Sequence, residues 1–582
     1  MTEPSKEIEE LIRKFALLNA IKHDGKAQLG PVIGKLLAER PEFRVQVKEI
    51  ASLVDKIVNE VNSLPLNEQK RIVEEKWPEV LVKEKVEEEK KLPPLPNVDK
   101  YPTVVTRFSP NPDCVLHLGS ARAIVLCHEY ARMYHGKFIL RFEDTDPKLK
   151  RPVPEFYDRI REDLVWLDCK PDEEYIQSDR IPIYYEYAEK LLTDGNAYVC
   201  TCQPQAFREK ILAQKPCPCR DLPPETNMER WHRMLNGEYG EGEAVVRIKT
   251  DLNHPNPAVR DWPALRVIDT EKFPHPRVGS KYRVWPLYNF ACGLDDHLMG
   301  VTHIIRGKEH LTNMVRQEYM YRHLGWEYPE AIHYGRLKIV GAYLSKSKIV
   351  QGVREGIYRG WDDPRLATFA ALRKRGITPA AIKKLIIDVG PKTSDVVLSW
   401  ENLYAYNRKI LDPRVNRYFF VENPIQLAVH GLPKAFEVKI RLHPERPERG
   451  FREYYIKASE GDSALFWISK SDLKGLAVGK AVRLMELFNI KIENVEGYAV
   501  EASFLSEAYE DAKRMNAPLI HWVPIGDDVP CQVIMPDATI VEGIAEKTCK
   551  NLKPDDIVQF ERFGFVRIDK VDGKILAYFA HK

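Results

Sequence analysis

The amino-acid sequence predicts a multi-domain protein with an α/β domain at its centre, a helical appendage on its N-terminal side and an all-β region at its C-terminal end. Apolar residues recur at helical spacing before residue 80, a strand–helix–strand pattern follows residue 103, and short alternating strands dominate after residue 416. The 582 residues also exceed the roughly 250 at which a single hydrophobic core stops growing. Several domains are therefore expected.

The helical unit is placed at residues 1–95. Ile8 and Ile12 are spaced to share one helix face, and the same period returns between residues 45 and 61. A charged run at 82–91, of a kind that is most often a solvated helix face, leads into the prolines of LPPLPNVDKYP. Because proline cannot continue a helix, we expect a domain boundary near residue 95.

The α/β domain is placed at residues 98–350. Its predicted elements are a strand at 103–108, a helix at 120–134, a strand at 137–144, helices at 153–167 and 181–194, and a resumed α/β pattern at 288–307. Strands joined through helices by short turns are typical of a parallel sheet. Between about 196 and 286, cysteines, prolines and short strands such as EAVVRIK interrupt this pattern, which we interpret as an insertion into the domain.

Residues 351–415 are predicted to form a helical connection, with helices at 366–376 and 379–390. Residues 416–582 are predicted to be strands. Many short strands separated by turn residues, as in AFEVKIRL and VQFERFGFVRID, favour β-barrels or sandwiches.

The composition excludes several classes of protein. No apolar run of about 18 residues is present, so no membrane span is expected. The N-terminus MTEPSKEIEELIRK lacks the apolar segment of a secretory signal, which predicts a cytoplasmic location. Ten cysteines in so long a chain are too few for a disulfide framework. The net charge of +3 is too small to indicate nucleic-acid binding by itself, although it allows one basic face.

The stretch PNPDCVLHLGS, residues 110–120, stands at the step from the first predicted strand into the first helix of the α/β domain. In isolation, a histidine and a glycine spaced in this way are usually a buried histidine beside a turn. Here the strand brings Arg107 to its carboxyl end, and the helix start points its free amides at the same crevice, where phosphates bind. His117 is placed to donate a hydrogen bond to a phosphoryl oxygen, and Gly119 lets a ring or phosphate approach the backbone closely.

The second stretch is GAYLSKSKIV, residues 341–350, which follows the predicted strand GRLKIV. Lys346, between Ser345 and Ser347 in a flexible loop, would bring a cation and hydroxyls to a triphosphate as charge moves to the leaving pyrophosphate. Taken alone, SKSK is most often a solvated loop.

HLGS at the first strand–helix turn followed later by LSKS resembles the two signature motifs of class I aminoacyl-tRNA synthetases. The segments TRFSPNPDCVLHLGSAR, LRFEDTDP and PLYNFACGLDDHLMGVTHIIRGKEHL are similar to the glutamyl/glutaminyl branch of that class, and most similar to its archaeal-type glutamyl members. The resemblance covers roughly residues 98–582. One departure is Tyr343, which stands where the second motif usually has its first lysine, so only Lys346 is assigned the phosphate role.

This resemblance implies a Rossmann-type catalytic domain, an acceptor-binding insertion, a helical connective domain and anticodon-binding β-barrels, with ATP and Mg²⁺ as cofactors. It implies catalytic roles for His117 and Lys346. The implied ATP-binding residues are Pro110, His117, Gly119, Ser120, Ser345, Lys346 and Ser347.

The implied glutamate-binding residues are Arg107, Asn111, Glu143, Tyr288, Cys292 and Arg306. Among them Arg306 favours glutamate over glutamine, because a guanidinium pairs bidentately with a carboxylate and leaves donors unpaired against an amide. A glutaminyl-tRNA synthetase is therefore the nearest competing interpretation. A small-molecule adenylyltransferase is a second one, although it would need neither the insertion nor the β region. A non-catalytic tRNA-binding protein is a third, and it would be expected to have lost His117 or Lys346.

Four cysteines, Cys200, Cys202, Cys217 and Cys219, form two pairs inside the insertion. Two interpretations are open, a structural zinc site and free thiols, because the one-residue spacing within each pair is less usual than two. The partners implied by the resemblance are glutamate, ATP and tRNA(Glu), with tRNA(Gln) also expected for archaeal-type enzymes. For the N-terminal helical unit, docking of a partner protein and bracing of the tRNA are both open.

Overall fold

The computed structural model describes residues 3–23, 25–40, 47–77, 90–341, 346–457 and 463–582. It divides the chain into two compact units, Met1–Lys90 and Lys91–Lys582. The division precedes the predicted boundary at 95, because Leu92 and Leu95 are buried in the core of the second unit. Within these described ranges, no helix is both long enough and apolar enough to cross a membrane.

The first unit is helical, as predicted. Its helices are α1 (Glu3–Lys22), α2 (Leu29–Glu39), α3 (Val47–Asn62) and α4 (Leu66–Lys76). They enclose a core that includes Ile12 and Val54. The buried amide of Gln69 donates hydrogen bonds to the carbonyl oxygens of Gly25 and Leu64, at 2.9 and 3.0 Å. These bonds join the turn between α1 and α2 to the turn between α3 and α4.

The second unit begins with the α/β part and its helical connection. Its strands are β1 (Val105–Phe108), β2 (Lys137–Phe142), β3 (Glu173–Ile176), β4 (Ala197–Cys200), β5 (Val245–Ile248), β6 (Pro263–Val267), β7 (Val284–Pro286), β8 (His303–Gly307), β9 (Glu330–Tyr334), β10 (Leu337–Ile339) and β11 (Val396–Leu398). Its helices are α5 (Leu118–Met133), α6 (Pro154–Trp166), α7 (Ile181–Thr193), α8 (Pro204–Leu212), α9 (Pro224–Leu235), α10 (Tyr288–Leu298), α11 (Leu311–Leu324), α12 (Lys346–Arg354), α13 (Phe369–Arg375), α14 (Pro379–Val389) and α15 (Trp400–Leu411).

The predicted strand–helix–strand pattern is confirmed. Strands β1, β2 and β3 pair in parallel, as do β8 and β9. The amide of Thr302 donates to the carbonyl of Val105 at 3.0 Å, so β8 lies along β1. The parallel strands therefore run in the order β3, β2, β1, β8, β9, and the order reverses beside β1.

The region predicted from its composition to be an insertion contains the antiparallel sheet β4–β5–β6–β7. One local prediction is wrong: Lys346 begins helix α12 instead of lying in a loop. Ile349 is fully buried against Leu366 and Ala371, and a helical turn is what brings it onto them. The helices predicted at 366–376 and 379–390 are α13 and α14.

The C-terminal region is all-β, as predicted, apart from helix α16 (Tyr509–Arg514) and short 3₁₀ turns. Its strands are β12 (Arg417–Tyr418), β13 (Phe420–Glu422), β14 (Pro424–His430), β15 (Phe436–Arg441), β16 (Phe451–Ile456), β17 (Ala464–Ser469), β18 (Ala481–Leu484), β19 (Asn489–Glu496), β20 (Ala499–Ser506), β21 (Leu519–Ile520), β22 (Val523–Pro524), β23 (Asp528–Ile534), β24 (Ile540–Glu546), β25 (Ile557–Phe560), β26 (Gly564–Asp572) and β27 (Lys574–His581). They form two seven-stranded sheets, β12-β25-β26-β27-β23-β24-β13 and β21-β18-β19-β20-β14-β17-β22, and the hairpin β15–β16.

Candidate active site

The candidate site lies at the carboxyl end of β1 and β8, where the strand order reverses. Arg107 on β1 and Arg306 on β8 both lie there. Ligands of open α/β sheets bind in this crevice. Helix α10 adds Tyr288, Cys292 and Asp296, which are spaced four residues apart and so share one helix face.

Asp296 holds two arginines by buried hydrogen bonds. Its Oδ1 accepts from Arg107 Nε at 3.0 Å and from Arg141 Nη1 at 2.8 Å, and its Oδ2 accepts from Arg107 Nη2 at 3.2 Å. Burial alone would raise the pKa of Asp296, but the two guanidinium groups lower it to about 2. Arg141 Nη2 also donates to Glu143 Oε1 at 3.0 Å. This paired network therefore contains two cations and two carboxylates, and its charge is balanced.

Two polar atoms of the paired network remain for a ligand. Arg107 Nη1 and Glu143 Oε2 make no hydrogen bond to the described residues, and each side chain retains some exposure, 5% for Arg107 and 13% for Glu143. Burial raises the pKa of Glu143, and Arg141 opposes that shift. The arrangement offers one cationic donor and one carboxylate oxygen, which suits a small molecule that carries both a carboxylate and an ammonium group.

Arg306 lies in a different environment. Its Nη1 donates to the Tyr288 hydroxyl at 3.4 Å, and its Nη2 donates to Gln317 Oε1 at 3.1 Å and to the Tyr328 hydroxyl at 3.0 Å. Its Nε is buried with no partner, and no described carboxylate lies within ion-pair distance. Arg306 is only 6% exposed, so its positive charge is buried without a negative one.

Two other buried arginines show that this environment is unusual within the described chain. Arg122 donates to the backbone carbonyl oxygens of Gly335 and Gly390, and Arg375 donates to those of Phe579 and Ala580 as well as to the Tyr404 hydroxyl. Backbone carbonyls are the negative ends of strong dipoles. Arg306 has side-chain hydroxyls and one amide oxygen instead, and it faces the crevice at the strand ends.

The charge of Arg306 contributes to lowering the pKa of two neighbouring histidines. Burial, and secondarily the nearby Arg306 guanidinium, lowers the pKa of both His310 and His333 to about 4. His333 lies opposite Arg306 on β9, and the His310 ring lies 5.4 Å from the Tyr288 ring, centroid to centroid. Both imidazoles are therefore neutral at pH 7, and neither competes with Arg306 for an anion.

The predicted phosphate turn leads into α5. The backbone amide of Gly119 donates to His117 Nδ1 at 3.0 Å, which leaves the imidazole proton on Nε2. The amide of Leu118 donates to the carbonyl of Ala367 at 2.9 Å, and Phe369 donates back to Leu116 at 3.1 Å. The turn is thus fixed between the sheet and the helical connection, with His117 in the tautomer that carries its proton on Nε2.

The remaining predicted residues are placed as follows. The Pro110 carbonyl accepts from the Glu143 amide at 2.9 Å, which joins the predicted phosphate turn to one of the residues predicted to bind the amino acid. Asn111 donates to the Lys150 carbonyl at 3.2 Å, and its Oδ1 is buried without a partner. The Cys292 sulfur accepts from Arg141 at 3.2 Å, and burial raises the pKa of this thiol to about 12, so it stays protonated.

Ser120 lies in the first turn of α5, and Ser347 lies in the first turn of α12. Ser345 and Tyr343 lie outside the described residues, and of Lys346 only the backbone is described. The geometry of the second motif is therefore a prediction from the sequence.

Sequence reasoning missed four residues that shape the pocket: Arg141, Asp296, Gln317 and Tyr328. Two of them left a signal. Arg141 is two residues from Glu143 on a strand, and Asp296 is four residues from Cys292 on a helix, so each shares a face with a predicted residue. Gln317 and Tyr328 left none, because they reach Arg306 from outside the matched motifs.

The four insertion cysteines come together. Their sulfur atoms all lie within 4.8 Å of one another, with Cys200 and Cys217 at 3.9 Å and Cys202 and Cys219 at 3.7 Å. In a tetrahedral Zn–S₄ site with bonds of about 2.3 Å, the sulfur atoms stand about 3.8 Å apart. Arg230 Nη1 donates to the Cys219 sulfur at 3.3 Å, which would offset part of the thiolate charge. The spacing of the four sulfur atoms fits a metal ion in tetrahedral coordination.

A histidine N–H at a helix start beside a pocket for an amino acid is what an enzyme needs to join that amino acid to a nucleotide phosphate. This site, on a parallel sheet with the strand order β3, β2, β1, β8, β9 and followed in the sequence by an all-β region, defines a class I aminoacyl-tRNA synthetase. The model described as "tRNA synthetases class I (E and Q), catalytic domain" matches residues 103–413, and the two described as anti-codon binding domains of the same synthetases match 415–506 and 519–569. The chain belongs to this glutamate and glutamine family of class I tRNA synthetases.

Relatives of known name match along the whole chain. The glutamate–tRNA ligase of Pyrococcus abyssi is 57% identical, and that of Pyrococcus furiosus is 56% identical; each match covers 99% of this chain and 100% of the relative. A crystal structure of a glutamate tRNA ligase from Elizabethkingia meningosepticum, in complex with its amino acid, is 24% identical over 54% of this chain and 70% of that chain, with a TM-score of 0.40. The predicted family and fold class are confirmed by the family models and the full-length relatives.

Proposed function

We propose that this chain is a glutamate–tRNA ligase, which joins L-glutamate to the 3′ end of tRNA(Glu) at the expense of ATP. Relatives that match its whole length carry this activity in their names. The observation that carries the choice of amino acid is Arg306, whose buried charge has only neutral partners among the described residues. A glutamate side chain neutralises that charge as an ion pair, whereas the glutamine amide leaves it buried without a counter-ion.

The reaction has two steps. In the first, an oxygen of the glutamate α-carboxylate attacks the α-phosphorus of ATP, a new P–O bond forms, and the bond to pyrophosphate breaks. In the second, a hydroxyl of the terminal adenosine of the tRNA attacks the activated carbonyl carbon, and AMP leaves. Neither step needs a covalent bond to the protein, so catalysis rests on positioning and charge stabilisation.

In the pocket, Glu143 Oε2 receives the substrate ammonium, and Arg306 and Tyr288 receive the side-chain carboxylate. Arg107 Nη1 adds a second cationic donor, and Asn111 and Cys292 complete the wall. On the nucleotide side, His117 donates from Nε2 to a phosphate oxygen, and Lys346 supplies a cation for the leaving pyrophosphate. The backbone around Pro110, Gly119 and Ser120 and the hydroxyls of Ser345 and Ser347 line the ATP site. Mg²⁺, which the family implies, would shield the negative charge of the triphosphate.

The test is aminoacylation of purified tRNA(Glu) and tRNA(Gln) with labelled glutamate or labelled glutamine, with ATP–pyrophosphate exchange as a readout of the first step. We expect glutamate to be joined to tRNA(Glu), with a kcat/KM about 10³-fold or more above that of glutamine. A preference for glutamine would show a glutaminyl-tRNA synthetase instead. Exchange without transfer to any tRNA would indicate an adenylyltransferase, and inactivity in both assays would indicate a binding protein.

We also propose a structural zinc ion held by Cys200, Cys202, Cys217 and Cys219. The supporting observation is the tetrahedral spacing of the four sulfur atoms, and the ion would shape the insertion where the acceptor end of the tRNA is expected. Metal analysis of protein expressed in zinc-replete medium should give about one equivalent of zinc, as expected for a Cys₄ site. Less than about half an equivalent would favour free thiols.

Three predictions from the sequence remain predictions. They are the charging of tRNA(Gln) with glutamate, a cytoplasmic location, and a role of the first unit in docking a protein or bracing the tRNA. The side-by-side aminoacylation of the two tRNAs tests the first of them directly. The domain limits 98–350, 351–415 and 416–582 are likewise proposals.

A further inference from the structure

Arg306 is held by three neutral groups that we call the Arg306 cradle: the Gln317 amide and the hydroxyls of Tyr288 and Tyr328. Gln317 lies on α11 and is fully buried. Its Oε1 accepts from Arg306 Nη2 at 3.1 Å and from the Tyr328 hydroxyl at 2.8 Å. One amide oxygen therefore fixes the guanidinium and the phenol together.

The orientation of the Gln317 amide is set by a second bond. Its Nε2 donates to the backbone carbonyl of Asn289 at 3.4 Å, so a hydrogen is needed on that side and an acceptor on the other. A glutamate at this position would point a carboxylate oxygen at a carbonyl oxygen and would have no hydrogen to donate. The local geometry thus requires an amide at residue 317.

Packing keeps this amide against the pocket. At Gly293 of α10, an added Cβ would lie 2.6 Å from the end of Met320 and 3.3 Å from Cγ of Gln317. The absence of a side chain at Gly293 therefore lets α10 and α11 approach closely beside Gln317. Gln317 therefore lies where these two helices pack closely together.

We propose that Gln317 is a specificity-determining positioning residue, which holds Arg306 in place and leaves its positive charge for the carboxylate of the amino-acid substrate. A carboxylate here would orient the guanidinium equally well but would neutralise it before the substrate arrived. The proposal rests on the proposed function, because it concerns how that function selects glutamate. Tyr328 supports the same arrangement, because its hydroxyl oxygen accepts the second N–H of Nη2 at 3.0 Å.

The decisive variant is Gln317→Glu, and the matched control is Gln317→Met, which keeps the length of the side chain but has neither the hydrogen bond nor a charge. In Gln317→Glu we expect kcat/KM for glutamate to fall about 10²-fold or more, mainly through KM, with the KM of ATP unchanged. The value for glutamine should change less than about threefold, so discrimination collapses. In Gln317→Met both substrates should lose activity, and the ratio should stay within about tenfold of wild type.

A double-mutant cycle removes the ambiguity of a general structural defect. In an Arg306→Met background the charge is gone, so Gln317→Glu should no longer change the glutamate-to-glutamine ratio. If Gln317→Glu does not fold, Tyr328→Phe tests the cradle from its other side, with an expected rise of about tenfold in the KM of glutamate.

The outcomes separate the two proposals. If the wild-type chain itself prefers glutamine, the proposed function fails. If the wild-type chain prefers glutamate and Gln317→Glu keeps that preference within about threefold, the function stands and the inference is overturned. An unchanged KM of glutamate in Tyr328→Phe would overturn the inference in the same way.

Discussion

The two sides of the pocket treat buried arginine in opposite ways. On one side, Arg107 and Arg141 are neutralised by Asp296 and Glu143 in a network whose charge is balanced without a ligand. On the other, the hydrogen bonds of Arg306 to described residues all go to neutral oxygens. A buried ion without a counter-ion costs several kcal/mol of desolvation. In the proposed function, the paired side therefore builds the pocket, and the unpaired side selects the substrate, which supplies the missing charge.

The largest effect is expected for Arg306→Met, which removes the unpaired charge. Glutamate kcat/KM should fall about 10³-fold or more, because the substrate carboxylate would then be buried without a partner. The thermal midpoint should stay equal or rise, since an uncompensated buried charge has been removed. Steady-state kinetics and calorimetry on the same preparation measure both.

Arg375→Met is the matched control for Arg306→Met. Arg375 is also buried and has no acidic partner in the part of the chain that the structure describes, but it binds the carbonyl of Ala580 in the C-terminal region. Its loss should lower stability and leave the glutamate-to-glutamine ratio unchanged. A similar loss of specificity in both variants would contradict the selective role of Arg306.

Asp296→Asn should lower the stability of the protein, unlike Arg306→Met, because it breaks a buried ion pair instead of removing an unpaired charge. Two arginines would be left with one carboxylate, and loss of one partner of a buried pair costs about 3–5 kcal/mol of folding free energy. Glutamate kcat/KM should also fall about 10²-fold, as Arg107 and Arg141 lose their fixed orientation. Thermal unfolding and the KM of glutamate are the two measurements.

The neighbouring residue provides the control for Asp296→Asn. Asp295 is also fully buried and accepts from Arg180 at 2.9 Å and from Tyr184 at 2.7 Å, neither of which is a predicted site residue. Asp295→Asn should therefore destabilise the protein with little change in the KM of glutamate. Equal effects of the two variants on that KM would mean that Asp296 acts only through stability.

The sequence predicted the local structure well, but it did not predict contacts between residues that lie far apart in the chain. Local periodicity and turn residues can be read directly from one sequence. They predicted the strand that carries Arg107, the helix start near Gly119 and the helices of the connection. Arg107, Glu143 and Arg306 came from a resemblance to known motifs. Asp296 did not, because its bond to Arg107 joins residues far apart in sequence, and its acidic side chain on a helix resembles a surface residue. Gln317 was hidden for the same reason.

At Lys346, a long-range contact also overrides the prediction from local sequence. The serines and lysines of SKSK favour a loop, and local propensity alone predicts one. Burial of Ile349 against Leu366 decides in favour of a helix start, and that contact depends on a segment of the connection that only the folded chain brings near.

Asp163 extends the comparison beyond the pocket, as a buried carboxylate that accepts a backbone hydrogen bond from Leu116 but forms no ion pair with a described residue. Burial raises its pKa to about 7, and only partial compensation comes from Arg373. An unfolded aspartate titrates near about 3.9, so between these values the native state binds the extra proton and stability falls as pH rises, levelling off above pH 7. From pH 5.5 to pH 8 the loss is about 2 kcal/mol. Asp163→Asn should abolish this slope, so the difference in thermal midpoint between variant and wild type should grow over that range, with glutamate kcat/KM unchanged. A constant difference from pH 5.5 to pH 8 would mean that Asp163 is ionised and paired, like Asp296.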